Sequence, residues 1–168
     1  MIPVRQRIRH QPGRGIWGDC HRACLASMFH LPIEAVPHFG HDGPDVDRFN
    51  MRVRQWLANR NLAAANMPLS GTLPQVLHVL ALCSPDSFWL LGGSDRNGHN
   101  HTVLGRGGKI LHDPSPDRAG LAGPCTDGVF WVTYIVPMYP ERLPTAMRWD
   151  PAPARPSLFE RLFRLVTA

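Results

Sequence analysis

The sequence predicts an α+β fold in which N-terminal helices pack on a C-terminal antiparallel sheet. Helix-compatible segments fill the first half of the chain. From residue 87 onward, short runs of β-branched and aromatic residues follow one another between glycines and prolines. Helices first and strands afterwards is the order of an α+β chain. With 168 residues and 43% hydrophobic content, the chain is long enough to close one core.

Residues 1–18 are polar, carry Pro12, Gly13, Gly15 and Gly18, and read as an extended lead-in. Asp19 is a suitable N-cap for a helix over CHRACLASMF, whose Ala23, Cys24, Ala26, Ser27 and Met28 suit close packing. Pro32 marks its end, and residues 37–44, with two glycines between two prolines, form a loop. A second helix over residues 45–59 follows from the spacing of Val46, Phe49, Val53, Trp56 and Leu57. Leu62 to Met67 reads as a short strand, and Thr72 to Leu82 as a third helix with Pro74 in its first turn. FWLLGG (88–93), HTVLGR (101–106), KILH (109–112) and VFWVTYIV (129–136) are strands. The domain therefore spans 1–136. Residues 137–156 hold six of the 17 prolines and read as a stiff linker. In 157–168, Leu158, Phe159, Leu162, Phe163, Leu165 and Val166 oppose Glu160, Arg161 and Arg164, an amphipathic helix suited to docking on a partner protein.

Composition narrows the function classes. The net charge is +5, yet 17 of the 18 basic residues are arginine and no block of five like charges exists, so the excess is dispersed and nucleic acid is not the expected partner. Four cysteines without a C-x-x-C pair argue against a disulfide framework. No apolar run approaches the roughly 20 residues that span a bilayer, and the N-terminus lacks a signal-peptide core, so a cytoplasmic protein is expected. The histidines His38 with His41, His99 with His101, and His112 beside Asp113 match no zinc pattern, so neither metal nor other cofactor is expected.

One constellation carries chemistry. Cys20 sits at a helix start, where unpaired backbone N–H groups and the positive end of the helix dipole stabilise a thiolate nucleophile. His101 opens a strand and Asp113 follows the next one. A two-residue Gly107-Gly108 loop puts the two on opposite sides of the hairpin. A three-residue loop including Arg106 sets them directly across from one another, where Asp113 can hold the imidazole in the tautomer that accepts the thiol proton. Cys24, one turn beyond Cys20, reads as a core residue, and Trp17 as the aromatic best placed to touch substrate.

DCHRACLASMF and HTVLGRGGKILHDPSP resemble the two motifs of the cysteine peptidases that remove double-glycine leaders from bacteriocin precursors, over roughly residues 11–136. The resemblance implies a papain-like fold with a Cys20–His101–Asp113 triad acting on a peptide or protein substrate. Two positions depart from the family pattern. His21 stands where glycine usually follows the nucleophile, and Arg14 stands where a glutamine six residues before it donates to the oxyanion. Gln11, nine before, and Arg14 are thus the side-chain candidates beside the Cys20 N–H, with Trp17 and Asp19 near the substrate. Hydrolysis of a peptide, isopeptide or side-chain amide bond, or acyl transfer, all suit such a triad. The alternative is a catalytically silent papain-like binding module, a phage or bacterial accessory protein that engages a partner.

Overall fold

The computed structural model describes residues 1–118 and 120–140. Met1–Met138 form one compact unit, and a second begins at Tyr139. Most of the expected linker and all of the expected terminal helix over 157–168 lie outside the described residues.

The chain is α+β. Helices α1 (Cys20–Phe29), α2 (Val46–Ala58) and α3 (Leu73–Cys83) accompany strands β1 (Leu62–Leu69), β2 (Phe88–Ser94), β3 (Asn100–Arg106), β4 (Lys109–His112) and β5 (Phe130–Pro137). All strand pairs are antiparallel, in the order β1-β5-β2-β3-β4. Each helix has a sequence cause. In α1 the small residues Ala23, Cys24, Ala26 and Ser27 are fully buried, which lets the helix approach β3 closely enough for the Cys24 thiol to donate to the Thr102 carbonyl at 3.4 Å. Cys24 is thus a packing residue, and burial pushes its thiol up. In α2, Asp45 accepts from the Arg48 N–H at 2.9 Å, capping the helix, while Val53, Trp56 and Leu57 are buried. Thr72 and Gln75 form a capping box at α3, with Pro74 in its first turn.

The sheet separates two apolar clusters, as alternating side chains require. Leu90 and Leu104 join Cys24, Leu25, Phe39, Trp56 and Leu57 under α1 and α2. Trp89, Leu91, Val103, Phe130 and Val132 join Val76 and Leu80 under α3. Each fully buried Leu or Phe side chain contributes about 1.5–3 kcal/mol. The Trp89 indole lies against Gly105, where an added Cβ would meet its ring at 2.0 Å, and its N–H donates to the Gly107 carbonyl at 2.8 Å.

Three expectations need correction. The β3–β4 hairpin has the two-residue loop, with Arg106 opposite Lys109, and not the three-residue loop that would pair His101 with Asp113. A bulge then shifts the register, so that Leu104 faces His112, with Leu111 as the extra, exposed residue. That shift by one returns Asp113 to the His101 side of the hairpin. Asp19, second, precedes α1 but its side chain does not cap it. The buried carboxylate instead accepts from the backbone of Arg7 at 3.0 Å and Ile8 at 2.9 Å. Third, the lead-in is not a loose extended segment. Pro12–Arg14 form a 3-10 turn closed by Gly15 at φ 67, and Gln11 bridges Ile16. Residues 4–8 are strapped to the domain: Val4 N–H donates to Ser27 Oγ at 2.8 Å, His112 Nε2 meets the Val4 carbonyl at 2.8 Å, and Gln6 N–H donates to the Pro114 carbonyl at 3.0 Å.

Candidate active site

Cys20 begins α1, and the segment before it is held from two sides. Gly18 N–H donates to His10 Nδ1 at 3.2 Å, and the Gly18 carbonyl meets His38 Nε2 at 3.3 Å. Gly18 is tightly placed, since a Cβ there would stand 3.0 Å from both the backbone nitrogen and the Cβ of His10. His101 enters from β3, which lies across the start of α1.

His101 Nε2 and Asp113 Oδ1 are 2.8 Å apart, both side chains only 9% exposed. The Asp113 carboxylate is enclosed by donors: Oδ1 also accepts from Ser115 N–H at 2.8 Å, and Oδ2 from Gly120 N–H at 2.7 Å. Burial disfavours the charged carboxylate, but the His101 ring and these two N–H groups outweigh it and hold Asp113 below the usual carboxylate range. Burial likewise opposes the imidazolium, yet hydrogen bonds to Asp113 and to Cys20, with the charges of both, lift His101 to about 10. With Nε2 engaged by Asp113, Nδ1 is the ring nitrogen left to serve the sulfur.

Two clefts meet at Cys20 and His101, sharing also His10, Gly18, His99 and Asn100. The smaller, about 160 Å³, is polar and is lined by Gln6, Arg9, Asp95 and Asp117. The larger, about 440 Å³, carries Trp17, Phe49, Gly92 and Cys125. Burial, with a contribution from Asp127, pushes the Cys125 thiol up to about 11. A T-shaped contact between the His10 and His99 rings at 5.3 Å, with Trp17 against His10 at the same distance, forms a wall beside the sulfur.

Of the sequence candidates, Cys20, His101 and Asp113 are brought together, and Trp17 lines the cleft as expected. Gln11 and Arg14 are not: both are exposed on the 3-10 turn and line neither cleft. Asp19 is buried and works on the backbone of residues 7 and 8, away from any substrate. The residue missed is Gln6. It lines the polar cleft with Cys20 and His101, and its Oε1 is buried without a hydrogen-bond partner. The available signal was elementary, since Gln6 and Gln11 are the only amide side chains before Cys20.

Among the described residues, no group of three or more His, Cys, Asp or Glu is arranged to hold a metal ion, and no helix is long and apolar enough to cross a membrane. No family model, curated protein or solved structure matches the chain.

Proposed function

We propose that the protein is a papain-like cysteine hydrolase that cleaves a peptide or amide bond. The observation that carries this reading is a buried His101–Asp113 pair whose histidine lines, together with the helix-start Cys20, the junction of two open clefts. Cys20 sulfur attacks the carbonyl carbon with its proton already resting on His101 Nδ1, and Asp113 holds the charged ring through Nε2. The tetrahedral oxyanion is met by the Cys20 N–H and by the Gln6 side-chain amide, which takes the role first assigned to Gln11 or Arg14. His101 returns the proton to the leaving amine as the C–N bond breaks, leaving a thioester. Water, deprotonated by His101, then releases the acid and restores the thiol.

Asp19 and Ser27 support this indirectly, because they fasten the strap that carries Gln6. Time-resolved alkylation with iodoacetamide at pH 7, read by peptide mass, tests the reading. Cys20 is expected to react before Cys24 and Cys125, and His101→Ala is expected to slow Cys20 without slowing the exposed Cys83. A Cys20 no faster than a free model thiol, or indifferent to His101→Ala, overturns it in favour of a silent binding module.

A further inference from the structure

A third cleft, about 530 Å³, continues from the larger one under α2. The two share His21, Val46, Phe49, Asn50, Gly92 and Thr102. What joins them is a missing side chain. In the sheet, Gly92 lies directly between Thr102 on β3 and Trp131 on β5. Directly paired residues project from the same face, so the two flanking side chains stand about 10 Å apart at their backbones with no β2 side chain between them. Gly92 is not there for conformational reasons. Its backbone is ordinary, and an added Cβ would meet Trp131 and Cys125 only at van der Waals distances of 3.5 Å and more. Sterics of the fold admit a larger residue; an open passage does not.

Beyond the passage the walls mix apolar residues, among them Val53, Ala64 and Leu90, with polar ones, among them Arg54, Asn66 and Asp127. At its head stands the half-buried His21, edge-on to Phe49 at 5.3 Å and Phe39 at 6.4 Å. Its Nε2 is shielded from solvent and has no hydrogen-bond partner. A buried polar atom without a partner is costly, and a ligand group that reaches the ring recovers the bond. Burial also pushes His21 down to about 4, so at pH 7 the ring meets a ligand as a neutral imidazole.

Resting on the hydrolase reading, we infer that this cleft is a specificity pocket. A bulky substrate side chain carrying a hydrogen-bonding group, such as a phenol or carboxamide, crosses the Gly92 gap and meets His21. The pocket selects by the space left at Gly92 and by the unpartnered His21 Nε2 beyond it, a combination that favours Tyr or Gln over Gly or Leu.

Labelling of Cys20 by epoxysuccinyl peptides tests this, read by intact mass. The reagents carry Gly, Leu, Tyr or Gln at one variable position on either arm, so that either side of the sulfur is sampled. On one arm the Tyr or Gln reagent is expected to label the wild type at least about tenfold faster than the Gly reagent, and faster than the Leu reagent. Gly92→Val is expected to abolish that ratio, Gly92→Ala to reduce it, and His21→Phe to leave Leu preferred over Tyr and Gln. Each ratio is taken within one variant, so a general loss of reactivity does not imitate the result. If the Gly reagent labels Cys20 and the ratio is absent, or survives Gly92→Val, the pocket falls and the nucleophile stands. If no reagent labels Cys20 faster than a free thiol, the hydrolase reading falls and takes the pocket with it.

Discussion

Asp113→Asn probes the most buried electrostatic contact of the site. The carboxylate receives three donors: His101 and Ser115 on Oδ1, and Gly120 on Oδ2. An asparagine has one carbonyl oxygen, so only one of these two positions stays an acceptor. With the oxygen at Oδ1, the His101 contact survives but becomes neutral, and the amide NH₂ confronts Gly120 N–H. A charge-assisted bond is about twice as strong as a neutral one of about 1 kcal/mol, so the imidazolium loses about 1–1.5 kcal/mol. At 1.36 kcal/mol per pH unit, His101 is then expected to titrate about one pH unit lower than its wild-type value of about 10. Carbon-13-labelled histidine, with His101→Gln to assign the signal among the nine histidines, reads this by NMR without knowledge of any substrate. A wild-type His101 that titrates near 6.5, or one that does not move in Asp113→Asn, refutes the claim that this carboxylate holds the charge.

Other perturbations follow from the same contacts. Gly105→Ala drives a methyl into the Trp89 ring and is expected to lower stability by about 1–3 kcal/mol or more, seen in chemical denaturation. Asp19→Ala removes the acceptor of two backbone N–H groups; residues 4–8 are expected to become sensitive to limited proteolysis, with Cys20 alkylation slowed little and turnover lost more, since Gln6 loses its seat. The half-buried His21, whose shielded ring is neutral at pH 7, makes stability depend on pH. Its folded value is depressed, so the unfolded chain binds the proton first, and stability is expected to fall as pH drops from about 6.5 towards 4, by about 3 kcal/mol at 1.36 kcal/mol per pH unit. Denaturation midpoints of wild type and His21→Phe across that range check this, and parallel curves would contradict it.

The helices and strands were legible because each carried a local signal: the apolar spacing of α2, the Thr72–Gln75 cap of α3, the β-branched run of β5. The His101–Asp113 contact was anticipated for the wrong reason. A two-residue turn is readable from Gly107-Gly108, but a bulge at Leu111 is a property of how β4 packs, and nothing in KILH announces it. Asp19 was misread because an Asp before a helix has a strong local use as a cap, whereas its actual partners are 11 and 12 residues upstream. Gln6 was missed for a related reason. Counting back from the cysteine assumes a fixed path, and the turn at Pro12–Arg14 folds Gln11 outward while the strap carries Gln6 in.

That strap has a temporal consequence. Val4 and Gln6 are held by His112 and Pro114, each 108 residues further along the chain. Contacts so distant in sequence form late, after the intervening helices and strands are in place. On the proposed hydrolase reading, the Gln6 amide therefore arrives when the sheet is nearly finished, and so does the His101–Asp113 pair, since β3 and the Asp113 loop come from the same late region. A chain still emerging from the ribosome carries Cys20 early but neither His101 nor a seated Gln6, so on that reading the protein is unarmed towards itself and its neighbours until it has folded.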